Sequence, residues 1–189
     1  MKTPTLYHEI AASTAHRKVR EDIANRVLKH PGDFSELISI ALDLKDKNHY
    51  KACWILELVL EARLDLLDAN LNDFCAILPL YKQDGAVRSA SKICMFLIQK
   101  HVAQFKKGNT FLTAAQFGRI TETCFDRMIL DTKVASKVYA MRSLFNAGKI
   151  EKRLHAALLE IIGKDFPQHS PAYKSAAKDV LRQINSPKK

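Results

Sequence analysis

Apolar residues recur every three or four positions along nearly the whole chain, and no segment alternates with period two over a useful length. Ile10, Val19, Ile23, Val27 and Leu28 mark one face of a first helix over 5–29, closed by His30-Pro31-Gly32. Asp33 with Glu36 reads as a capping box for a second helix over 34–44. Asn48 is placed to cap a third over 50–64, strongly apolar around Trp54, Ile55, Leu58 and Val59. Asn70 or Asn72 starts a fourth, which should bend or end near Pro79 because proline lacks the N–H that a helix needs. Asp84 caps a fifth over 86–106, and Thr113 with Gln116 boxes a sixth over 114–130. Asp131 caps a seventh over 132–147, stopped by Gly148, and an eighth covers about 152–163. Ser170-Pro171, an N-cap followed by a first-turn proline, opens the last helix over 171–184. The pattern predicts an all-α protein of eight to nine helices.

After residue 32 the helices come in pairs, and the second member of each pair shares a pattern. Lys51, Arg88, Lys137 and Lys174 recur at spacings of 37, 49 and 37 residues. A small or buried residue follows two or three positions later: Cys53, Ala90 with Ser91, Ala140, and Ala176 with Ala177. Asp46, Asp84 and Asp131 precede the first three, and Ser170-Pro171 precedes the fourth. Periods of this size mark stacked helix-turn-helix repeats, in which each pair buries its apolar face on its neighbours. The longer middle spacing implies an insertion, most naturally at Lys106-Lys107-Gly108-Asn109.

Acid, apolar-basic dipeptide, then small residues: over about 33–185 this pattern resembles HEAT repeats. The resemblance implies a right-handed α–α superhelix, a HEAT- or ARM-like solenoid, with a capping helix over 1–30, about four helix pairs over 33–185 and a disordered tail at 186–189. At a finer level, Lys45-Asp46-Lys47 with Tyr50-Lys51-Ala52-Cys53-Trp54, then Ala86-Val87-Arg88, Cys124-Phe125-Asp126 and Asp165-Phe166-Pro167 resemble a group of short bacterial helical-repeat proteins. That group is often labelled adenylosuccinate lyase. Such lyases resemble one another in a long helical bundle with a Gly/Ser-rich loop bearing the catalytic serine. Here no Gly-Ser-Ser run exists, glycines 32, 85, 108, 118, 148 and 163 stand apart, and no lyase site residue has a matching position.

Composition narrows the classes. The chain has 189 residues, 47% hydrophobic and 26% charged, ordinary for one globular domain and too apolar for a disordered chain. Only six glycines and six prolines leave little room for the turns of an all-β fold. Apolar runs fall well short of the roughly 20 residues of a membrane span, and residues 1–10 show no leader pattern, so a cytoplasmic location is expected. Cys53, Cys75, Cys94 and Cys124 form no Cys-x-x-Cys pair and read as buried reduced thiols. The seven histidines are scattered with no ligand spacing, so neither a metal nor a cofactor is expected. Asp43, Asp46, Glu57 and Glu61 read as the polar faces of the second and third helices rather than as an acid–base pair.

The net charge is +10, unevenly spread: residues 31–80 hold four basic and nine acidic side chains, and 131–189 hold twelve and five. A basic C-terminal part suits nucleic acid or an acidic partner, and the acid–basic polarity allows monomer or weak head-to-tail self-association. The runs His16–Arg20 and Lys106-Lys107 read as solvated surface. A fold-level similarity to HEAT-like DNA glycosylases implies binding of duplex DNA in a basic concave surface, with aromatic and acidic residues on the damaged base. The single Trp54, flanked by Cys53, Ile55 and Leu56, reads instead as a core residue.

The expected function is therefore a non-enzymatic scaffold whose concave face, made by the second helices, binds another protein. The expected contacts are Lys51, Arg88, Lys137 and Lys174, with Lys92 and Lys178 one turn further on. On that reading the cations alternate with acids around an apolar or aromatic patch. A nucleic-acid protein would instead present them as one continuous stripe at phosphate spacing. An enzyme would need a deep polar pocket with perturbed titrating groups, of which the sequence gives no sign.

Overall fold

The computed structural model describes residues 5–186. Among the described residues every regular element is helical: ten α-helices and three short 3-10 segments. The chain divides into two compact units, Met1–Ile93 and Cys94–Lys189.

The first unit holds α1 (Leu6–Ala12), α2 (Arg17–Lys29), α3 (Asp33–Leu42), α4 (His49–Ala62), α5 (Leu71–Ile77) and the opening of α6 (Asp84–Phe105). The 3-10 segments Leu64–Asn70 and Leu78–Leu80 flank α5. Helix α4 packs on both α2 and α3, so its apolar stretch is covered on two sides. Ile55, Leu56 and Leu60 are buried there with Ile10, Leu37, Leu67 and Phe74. Two polar atoms are absorbed by the same buried carbonyl near the end of α3: the hydroxyl of buried Tyr81 donates to Ala41 O at 2.8 Å, and the Cys53 thiol points at it from 3.7 Å.

The second unit holds the rest of α6, then α7 (Ala114–Ile129), α8 (Val134–Ala147), α9 (Lys152–Asp165), the 3-10 segment Phe166–Gln168 and α10 (Pro171–Asn185). Here α8 is central, packed on α7, α9 and α10. Met141 and Leu144 of α8 meet a core that includes Ile120, Met128, Leu158 and Tyr173.

Several expectations need correction. The first helix is two helices, which raises the total to ten. The chain breaks at Ser13 because its hydroxyl and its backbone N–H both turn back to Ile10 O, at 2.7 and 3.1 Å, ending α1. The Asp33–Glu36 capping box does not form. Asp33 instead accepts from Arg26 Nε at 2.9 Å, and Glu36 accepts from the backbone N–H of Tyr7 at 3.2 Å. Asn48 caps nothing with its side chain, which donates to the Tyr7 hydroxyl at 3.1 Å. Helix α8 opens at Val134 behind Lys133, past Asp131, again with no side-chain cap. Two other caps stand as expected: Thr113 and Gln116 make both bonds of a capping box, and Ser170 accepts from the N–H of Tyr173. Of the expected tail, Ser186 follows α10 as its C-cap, and 187–189 lie outside the described residues.

Gly148 does follow α8, but not in the left-handed conformation of a common helix stop, since its φ is −63°. The glycine is required by space: a Cβ there would collide with the imidazole ring of His155. Gly85 answers the same need in the first unit, where a Cβ would sit 2.6 Å from Trp54 Nε1. All four cysteines are buried and in no disulfide, and burial pushes the Cys53 thiol up to about 12. No helix among the described residues is long and apolar enough to cross a membrane.

Candidate functional site

The recurring cations divide into two kinds. Three lysines act on backbone at helix ends. Lys51 of α4 donates to Ala11 O in the last turn of α1 at 2.5 Å, and Lys137 of α8 donates to Met128 O in the last turn of α7 at 2.6 Å. Lys174 of α10 donates to Pro167 O at 3.1 Å, in the 3-10 turn that follows α9, with Nζ 5.8 Å from the Phe166 ring. Helix C-termini leave carbonyls unpaired and carry partial negative charge, so an ammonium satisfies both needs. At three of the four recurring positions the basic residue of the second helix thus holds the end of an earlier helical segment: α1 for Lys51, α7 for Lys137 and the turn after α9 for Lys174.

Arg88 and Lys92, on α6, converge instead on a carboxylate. Glu57 of α4 is only 3% exposed, among the apolar residues of that helix. Its Oε2 accepts from Arg88 Nη1 and from Ser89 Oγ, each at 2.7 Å, and its Oε1 lies 3.1 Å from Lys92 Nζ. Lys92 also reaches Glu61 Oε2 at 3.0 Å. Burial opposes the charge on Lys92, but Glu61 and Glu57 outweigh it and hold its pKa above the ordinary lysine value. Acids and bases therefore alternate along this face. Glu57 departs from its expected place on a polar face. The signal for it was a lone carboxylate inside the run Trp54-Ile55-Leu56-Glu57-Leu58-Val59-Leu60. Trp54 is half-buried rather than in the core, edge-on to Tyr50 with the Arg20 guanidinium 5.7 Å from its ring.

Lys137 has a second neighbourhood. Asp165 Oδ2 lies 3.8 Å from its Nζ and 3.7 Å from His169 Nε2, and His169 stacks on Tyr173 at 3.9 Å. The fully buried Tyr173 hydroxyl and Asp165 Oδ2 find no hydrogen bond of normal length. Burial, with Asp165 nearby, pushes the Tyr173 phenol well above its ordinary value. Lys178 lies exposed on α10. Of the six expected contact residues, Arg88 and Lys92 share Glu57, Lys51, Lys137 and Lys174 hold carbonyls, and Lys178 faces solvent.

Two surface features of the second unit were not singled out from sequence. A groove of about 710 Å³ runs between α8 and α10, with Val134, Val138, Tyr139 and Arg142 on one wall and Asp179 and Arg182 on the other. Between α7 and α9 a more apolar groove holds Phe125, Ile129 and Ile161. At its edge Ile129 is 68% exposed and Leu130 53% exposed. Both grooves fall at crossings of helices distant in sequence, which periodicity along one helix does not report. Among the described residues no cluster of His, Cys, Asp and Glu is arranged to hold a metal ion.

No family model, curated protein or solved structure matches this chain.

Proposed function

We propose that the chain is a non-enzymatic helical-repeat scaffold of HEAT-like type, a right-handed α–α superhelix, that binds another protein through the second helices of its pairs. The observation that carries this reading is the α8–α10 groove. It mixes cations, an acid and an apolar floor: Arg142, Asp179 and Arg182 surround Val134, Val138 and Tyr139. Arg and Tyr are the residue types that anchor protein interfaces, and an alternating rim selects a partner by charge pattern rather than by backbone phosphates. The engagement of the recurring cations supports it too, since Lys51, Lys137 and Lys174 hold helix ends and Arg88 and Lys92 are matched by Glu57 and Glu61. An acidic surface or peptide is the expected partner.

The test is affinity capture by the full chain and by Val138→Asp and Arg142→Glu, two surface changes on one wall of the groove. Any captured protein is then purified and titrated back. The expected result is a partner that binds the native chain and is lost with both variants. In parallel, labelled duplex and single-stranded oligonucleotides are titrated across a salt series. Oligonucleotide binding that survives moderate salt, with a steep log–log slope and a loss on Arg142→Glu, would replace the scaffold with a nucleic-acid protein.

A further inference from the structure

At the C-terminal end of α8, one turn beyond Arg142, the surface of the second unit carries an open hollow of about 720 Å³. Its wall brings together Lys106, Lys149 and Lys152 with Phe145, His155 and Gln183, and among the described residues no carboxylate lines it. All three lysines are exposed, so the hollow presents a local concentration of positive charge that a bound anion would offset. Among the described residues none of the three forms an ion pair, although acids lie close in sequence. Glu151 instead pairs with Arg153 at 2.8 Å, and Asp179 accepts from Gln183 Nε2 at 3.0 Å.

The hollow is also rigid on one side. His155 stacks on Phe145 with ring centroids 5.6 Å apart, and its Nε2 donates to Phe145 O at 2.8 Å. The missing side chain of Gly148 makes room for that ring. Lys149 is steered over the Phe145 face, 4.5 Å from its centroid, and donates to Asn146 Oδ1 at 2.7 Å. Two of its three donor directions stay available for a ligand. Partial burial, and then the nearby charge of Lys106, lower the Lys149 pKa.

We propose that this hollow binds a small phosphate-bearing molecule, with Lys106, Lys149 and Lys152 as its anion clamp. A compact ammonium suits phosphate oxygens as a point charge, and the volume lies within the range of small-molecule sites. A nucleic-acid strand would need cations extended along a track, whereas these three line a single hollow. The site is separate from the α8–α10 groove, so it stands or falls independently of the scaffold reading.

The probes are inorganic pyrophosphate, inorganic phosphate and citrate, titrated by calorimetry into the full chain at low salt. Saturable one-to-one binding of pyrophosphate, tighter than phosphate and than citrate, is expected. Lys106→Gln and Lys149→Gln should each weaken it about fivefold to tenfold while leaving the circular dichroism spectrum unchanged. Lys18→Gln, on α2 and far from the hollow in sequence, should leave it unchanged. Citrate binding as tight as pyrophosphate would overturn the phosphate assignment. Absence of saturation at about 5 mM pyrophosphate, well above ordinary metabolite-site constants, would remove the site altogether, as would an equal loss with Lys18→Gln. Tighter binding of a single-stranded oligonucleotide that survives Lys149→Gln would count against it in the same way.

Discussion

Glu57 is the residue where chemistry and packing are hardest to separate. Its carboxylate is buried, and three donors from one helix, Arg88, Ser89 and Lys92, hold it. Taking the acid away leaves the two cations facing each other beside an apolar wall, whereas losing Arg88, itself about a third exposed, forfeits only a partly screened pair. Glu57→Ala should therefore cost about 3 kcal/mol in chemical denaturation, and Arg88→Ala about 1 kcal/mol or less. Equal costs would mean that the carboxylate is solvated rather than clasped. The site is built for holding α6 on α4, and it enters the functional reading only as the place where Arg88 and Lys92 are already matched.

At the scale of elements, the joint between α8 and α9 turns on one missing methyl group. His155 occupies the space a Gly148 side chain would take, so Gly148→Ala should destabilise by about 1–3 kcal/mol through overpacking. In a double-mutant cycle most of that loss should return when His155→Ala is added, and a simply additive cycle would show that the glycine is needed for its backbone instead. The helices themselves were legible in the sequence because their periodicity is strong. Caps were legible only where every partner lies within four residues, as with Thr113 and Gln116 or Ser170 and Tyr173. Asp33 and Asn48 had the right chemistry, but Arg26 and Tyr7, brought close by the fold, took their side chains. The recurrence of Lys51, Lys137 and Lys174 was equally plain. Its meaning was not, since the acceptors are backbone carbonyls, which leave no mark in the sequence.

For the whole molecule, acid sensitivity follows from a buried imidazole. His101 is buried in the second unit, and its Nδ1 accepts from the N–H of Leu112 at 3.0 Å. Burial lowers its pKa below the ordinary 6.5, so the folded chain keeps it neutral where the unfolded chain already binds a proton. The stability it contributes is complete above the unfolded value and is lost as pH falls below about 6.5 toward the folded one. Denaturation midpoints should drop between pH 7.5 and pH 5.5, and His101→Gln, whose carbonyl still accepts from Leu112, should flatten part of that slope. An unchanged slope would place the acid sensitivity on other groups.

The burial of all four thiols makes the native chain a silent background for site-directed labelling. With Cys53 held protonated far above neutrality, maleimide or spin-label chemistry at pH 7 will find no native target in a folded sample. A single cysteine introduced at exposed Ser35 in the first unit and another at exposed Ala115 in the second, outside the α8–α10 groove, become the only reactive positions, without deleting a core residue. Pulsed-dipolar distances between them can then be compared before and after a partner or a phosphate compound is added.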